Sequence, residues 1–89
     1  MQERPVTIIN KLGLHARAAA KFVTVASSFS SSIDITKDGQ NVNGKSIMGV
    51  MMLAASRGTE LIIMASGSDE IEAADNLASL VTGRFGEQE

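Results

Sequence analysis

Along the chain the spacing of apolar positions switches between two residues and three to four, and the switches mark out the elements. Val6 and Ile8 alternate with Thr7 and Ile9, which predicts a short strand, and Asn10 to Leu14 interrupt it. From Ala16 the spacing becomes helical: Ala16, Ala19, Ala20, Phe22, Val23, Ala26 and Phe29 share one broad stripe, with Lys21 and Ser27 turned away. The density of alanine favours this helix intrinsically. The serine-rich run from Ser27 to Ser32 ends it, because hydroxyls compete for backbone hydrogen bonds. Ile33 and Ile35 then alternate with Asp34 and Thr36 as a half-buried strand. The Asp38-Gly39 pair predicts a tight hairpin into a short polar strand around Gln40 to Val42, suited to a sheet edge.

Beyond the Asn43-Gly44-Lys45 loop, Ser46 precedes Ile47, Val50, Met51 and Ala54 at helical spacing, so an N-cap is expected at Ser46 and a short helix to about Leu53. Leu61 to Met64 is an unbroken apolar run, read as a central strand. Gly67-Ser68 is expected to cap a last helix. Asp69, Glu70 and Glu72 in its first turn suit the positive end of the helix dipole, and Ile71, Ala74, Leu77, Ala78 and Val81 form its buried stripe. Gly83 and Arg84 end it, and Glu87-Gln88-Glu89 is expected to fray. The order β-α-β-β-α-β-α predicts an α+β open-faced sandwich, a four-stranded antiparallel sheet with three helices on one face. The chain has too little material to cover both faces.

With 89 residues, 44% of them hydrophobic and 20% charged, the chain is one ordinary globular domain spanning 1–89, with no linker and no internal repeat. It has no cysteine, which excludes disulfides, thiolate metal sites and a thiol nucleophile. Eight basic residues against ten acidic ones, no basic run and three aromatics argue against nucleic-acid binding. No apolar stretch approaches the roughly 20 residues of a membrane helix, and Met1 to Pro5 does not read as a secretory leader. A cytoplasmic monomer is expected.

The single histidine, His15, directly precedes the alanine-rich helix. There the first backbone amides have no helical acceptor, and together with the dipole they attract anions. Arg17 adds a guanidinium that matches phosphoryl oxygens. An imidazole titrates near neutrality, so a neutral ring nitrogen can act as a nucleophile without a side-chain base. A lone histidine at this place can equally be a cap or a solvated loop residue, and His-x-Arg by itself does not decide. Gly13 is better read as a backbone requirement of the loop than as a phosphate cradle, since one glycine makes no P-loop.

The longer string decides. Lys11-Leu12-Gly13-Leu14-His15-Ala16-Arg17, continuing through Ala18-Ala19-Ala20-Lys21-Phe22-Val23, resembles the active segment of the HPr family, the histidine phosphocarriers of the bacterial phosphoenolpyruvate-dependent phosphotransferase system. Gly44-Lys45-Ser46-Ile47-Met48-Gly49-Val50-Met51 resembles the regulatory serine segment of the same family, and the resemblance covers nearly the whole chain. It implies that His15 accepts a phosphoryl group on Nδ1 from phospho-enzyme I and passes it to a histidine of a IIA protein. By the same resemblance Arg17 and the amides of Ala16 and Arg17 would meet the charge, with no cofactor beyond the transient phosphohistidine. Such a chain is a stoichiometric carrier rather than a turnover enzyme. The family commonly has proline after the arginine, where this chain has Ala18, a change that bears on tuning rather than on role.

Ser46 reads structurally as an N-cap, and by resemblance also as the target of an HPr kinase/phosphorylase, where a host has one. Ile47, Met48, Met51 and Met52 are too many for one face of a short helix to bury. They can fill the core or, with Arg17, Ala20 and Lys21, form a docking patch that adapts to several partners, as the resemblance implies. Two alternatives stand beside the sugar-branch carrier: a nitrogen-branch phosphocarrier that signals to regulators, and a co-regulator of the same fold that does not transfer phosphate.

Overall fold

The computed structural model describes residues 1–89. Its elements are β1 (Gln2–Thr7), α1 (Ala16–Ser27), β2 (Ser32–Lys37), β3 (Gln40–Asn43), α2 (Ile47–Met52), β4 (Glu60–Ser66) and α3 (Glu70–Thr82), closed by a 3-10 turn at Arg84–Gly86. The strands form one antiparallel sheet in the order β1-β4-β2-β3, with the predicted apolar run at its centre. Leu61, Ile63 and Ala65 of β4 face the helices and are buried, whereas Ile62 points to the open face of the sheet. The β2–β3 hairpin turns through Asp38 (φ 49°) and Gly39 (φ 82°), the paired positive φ angles that a type I′ turn needs. Fully buried Phe22, Ile8, Ile33, Ile35, Ile63, Leu77 and Phe85 fill the layer between sheet and helices.

Local expectations hold where the signal is local. Helix α1 begins at Ala16 without a proline, and Ser46 caps α2, its hydroxyl oxygen accepting the Gly49 N–H at 3.1 Å. Differences appear where distant parts of the chain meet. Strand β1 runs earlier than its apolar alternation suggests, because Gln2 and Arg4 face α3 and bond Glu70 and Asp75, and because an edge strand tolerates Pro5. In α1 the buried positions are Ala18, Ala19, Phe22 and Ala26, leaving Ala16 exposed and Ala20 half-buried. In α3 they are Ala73, Ala74, Leu77 and Val81. Ile71 is 58% exposed, since at 100° per residue it lies about 100° from the centre of that stripe.

The cap of α3 also differs from expectation. Asp69, not Gly67-Ser68, holds the N-cap position, and its carboxylate turns back across the sheet end to the serine run. Oδ2 accepts the Ser30 N–H at 2.9 Å, while Oδ1 accepts the Ser31 N–H and hydroxyl. Chiefly through the Ser31 hydroxyl, and then the Ser30 amide, the Asp69 carboxyl is lowered to about 2. No side chain caps the first amides of α3; the Glu70 carboxylate instead reaches back to the preceding turn and accepts the Gly67 N–H at 3.1 Å.

The C-terminal tail is not frayed. Arg84 and Phe85 adopt positive φ angles of 58° and 53°, uncommon for residues with bulky side chains, and the turn they make drives the Phe85 ring into the core. Lys21 Nζ donates to the Phe85 carbonyl at 2.6 Å, and the Lys11 N–H donates to the Glu89 carbonyl. The last residues are thereby brought across the start of α1.

Candidate functional site

The site grows out of the loop between β1 and α1. Asn10 is fully buried and donates Nδ2 to the Gly13 carbonyl at 2.8 Å; the Gly13 N–H returns to the Asn10 carbonyl at 3.1 Å. Gly13 takes φ +68°, and a Cβ there would lie 2.7 Å from the Ala55 carbonyl oxygen. That same oxygen accepts the Leu14 N–H at 2.8 Å, and the Leu14 side chain is buried. His15 therefore leaves a loop pinned on both sides.

His15 is the N-cap residue of α1, extended at φ −76° and ψ 179°, and its side chain makes no capping bond. The first helical bond runs from the Ala19 N–H to the His15 carbonyl, so the N–H groups of Ala16, Arg17 and Ala18 have no helical acceptor. The imidazole is neither walled in nor unattached. Its side chain is 27% exposed, and Nε2 lies 2.5 Å from Oε2 of Glu87. Nδ1 makes no hydrogen bond. A carboxylate can only accept, so this contact puts the proton of the neutral ring on Nε2 and leaves the lone pair on Nδ1.

Glu87 is the functional residue that the sequence reading missed, having been assigned to a frayed tail. Its other oxygen, Oε1, accepts Asn10 Nδ2 at 3.0 Å. The hydrogen bond from His15, followed by that from Asn10, holds its carboxyl below the ordinary range; burial pushes the other way, and the Arg17 charge, with that of the His15 ring when protonated, assists. An open cleft beside the ring is lined by Lys11, Leu12, His15, Arg17, Glu87, Gln88 and Glu89. Arg17 is exposed in it, with no side-chain partner. No three His, Asp or Glu side chains gather closely enough to hold a metal ion.

His15 and Arg17 line one cleft with Ala16 between them in the chain, and the remaining candidates lie on adjoining surface. Helix α2 packs against α1 and exposes Met48 (76%) and Met52 (67%) most, with Ile47 and Met51 also exposed and Val50 turned into the core. Ala20 is half-buried, and the Lys21 ammonium is engaged by the tail rather than free. No helix is long and apolar enough to cross a membrane.

Fold and site together define a small open-faced α+β domain built around a histidine at a helix N-terminus. The family model for the PTS HPr component phosphorylation site matches residues 2–83, and the chain belongs to the HPr family. It is 53% identical over its full length, and over all of the relative's, to a phosphocarrier protein HPr of Neisseria meningitidis. It is 49% identical to the HPr-like protein Crh of Bacillus subtilis, over 91% of this chain and 95% of that one. A crystal structure of an HPr from Thermoanaerobacter tengcongensis superposes with a TM-score of 0.96 at 49% identity, covering both chains completely.

Proposed function

We propose that this chain is the phosphoryl carrier of a sugar phosphotransferase system, accepting phosphate on His15 from phospho-enzyme I and delivering it to a histidine of IIA proteins. The observation that carries this reading is the state of the imidazole: Nε2 is held by Glu87, while Nδ1 is unbonded beside the cleft that Arg17 lines.

In the accepting step the Nδ1 lone pair forms the new N–P bond as the donor's N–P bond breaks, and that electron pair returns to the donor imidazole. The transferring group is loose and its charge is spread over three oxygens, so positioning and charge complementarity supply most of the catalysis. The Arg17 guanidinium and the free amides of Ala16 and Arg17 are the groups suited to those oxygens. Glu87 keeps the Nε2 proton and balances the positive charge that the ring acquires once Nδ1 is phosphorylated. Delivery to a IIA histidine reverses the step, the pair in the N–P bond returning to Nδ1.

Ile47, Met48, Met51 and Met52 form the docking surface that both partners meet in turn. Phosphorylation of Ser46 by an HPr kinase/phosphorylase would add roughly two negative charges beside that surface and weaken docking by acidic partners. The reading takes the carrier to act as a monomer in the cytoplasm.

Incubation with phosphoenolpyruvate and enzyme I, followed by intact mass, tests the reading. The expected result is an acid-labile gain of one phosphoryl group that His15→Ala lacks; no gain on the wild type removes the carrier reading. Parallel assays with sugar-branch and nitrogen-branch enzyme I assign the branch.

A further inference from the structure

Asn10 contributes a side chain that the chemistry above does not use. It is fully buried, yet its Oδ1 has no hydrogen-bond partner. Its orientation is nonetheless set, because both groups facing Nδ2, the Gly13 carbonyl oxygen and Glu87 Oε1, are acceptors. Reversing the amide would press Oδ1 against two oxygens. A residue kept only for packing would gain nothing from burying an orphaned acceptor, whereas a well-matched apolar side chain would avoid that loss.

We infer that Asn10 is a positioning residue for the His15 imidazole, acting through Glu87. One Nδ2 proton fixes the loop two residues before His15; the other fixes Oε1 of the carboxylate, which leaves Oε2 aimed at Nε2. The two ends of the imidazole–carboxylate bond are therefore referenced to a single buried amide, and the tail is held to the loop by the same group. A carboxylate that must meet one imidazole nitrogen needs such an anchor, beyond the burial of Phe85 two residues earlier, to keep that nitrogen protonated and the other bare. The inference rests on the proposed role of His15, but its test requires no phosphate transfer.

The test is nitrogen-15 NMR of the unphosphorylated protein, following the Nε2-bound proton of His15 in the neutral ring. In the wild type this proton is expected as a downfield, slowly exchanging resonance; Glu87→Ala should lose it to exchange. Asn10→Ala should shorten its lifetime at least tenfold while the backbone amide fingerprint of the sheet is unchanged, and in the Glu87→Ala background Asn10→Ala should add nothing. A wild-type lifetime retained in a folded Asn10→Ala protein would overturn the inference. A second measurement covers loss of folding: in Glu87→Ala, whose change lies on the tail, one of the two Asn10 side-chain amide protons should lose its protection and the other keep it. Unaltered protection of both would equally refute the relay.

Discussion

Replacing Gly13 by alanine tests whether the loop that presents His15 is as closely packed as the geometry requires. The added methyl meets two penalties that can be separated. Gly13 has φ +68°, a conformation that costs a residue bearing a Cβ about 1–2 kcal/mol. The Cβ would also lie 2.7 Å from the Ala55 carbonyl oxygen and 2.9 Å from Ser56 Cα, backbone atoms that cannot swing aside as a side-chain end could. Overpacking of this kind adds about 1–3 kcal/mol. The sum, roughly 2–5 kcal/mol, corresponds to a fall in Tm on the order of 10–30 °C for a domain of this size. Gly39→Ala is the matched control: its φ is +82°, but nothing lies within 4 Å of the new methyl, so only the conformational penalty of about 1–2 kcal/mol remains. Both changes alter the unfolded chain alike, so their difference isolates the contact. Urea unfolding followed by circular dichroism, compared at equal slopes, gives that difference. Gly13→Ala should have the lower midpoint and should also slow phosphorylation at temperatures where it remains folded, since the displaced Ala55 oxygen is the acceptor for Leu14. Equal midpoints for the two variants would refute the close approach.

Other outcomes follow from the same geometry. The Asp69 carboxyl sits at about 2 in the folded chain against an ordinary 3.8, so its stabilisation is present above the ordinary carboxylate range and is lost as pH falls toward 2. Thermal melts from neutral pH downward should therefore show a steeper acid decline in the wild type than in Asp69→Asn, with the gap between the two closing at the acid end. Ser46→Ala removes the hydroxyl that accepts the Gly49 N–H and should cost about 1 kcal/mol in urea unfolding, without changing the rate at which His15 is phosphorylated at saturating enzyme I. Arg17→Ala should slow transfer by roughly 10²-fold in a quench assay while leaving Tm nearly unchanged, as the side chain is exposed and unpaired; comparable losses of rate and stability would contradict its role.

The features readable from the sequence are those that neighbouring residues determine. Alanine spacing after His15, the Asp38-Gly39 pair and the Ser46 hydroxyl each act over a few residues, and each does so in the fold. The centre of the sheet was readable too, because β4 is an unbroken apolar run. What escaped depends on contacts far apart in the chain. Ile71 fits a helical stripe, and only the docking angle of α3 puts it in solvent. Asp69 resembles a first-turn acid until the serine run, 38 residues away, is folded against it. The decisive omission was Glu87, which is separated from His15 by 72 residues and sits in a polar tail with no periodic signal. The available hint was Phe85, a large apolar residue just past the end of α3, whose burial ties down everything after it. Asn10 was visible only as an interruption of a strand, although it is the buried amide to which Glu87 is bonded.

The central claim is that His15 offers Nδ1, and not Nε2, to a phosphoryl group. Nitrogen-15 labelled protein, phosphorylated by enzyme I and phosphoenolpyruvate, allows phosphorus coupling to each ring nitrogen to be read directly. Coupling to Nδ1 of His15, with a proton retained on Nε2, is the expected result. Coupling to Nε2, or phosphate on any residue other than His15, would contradict it.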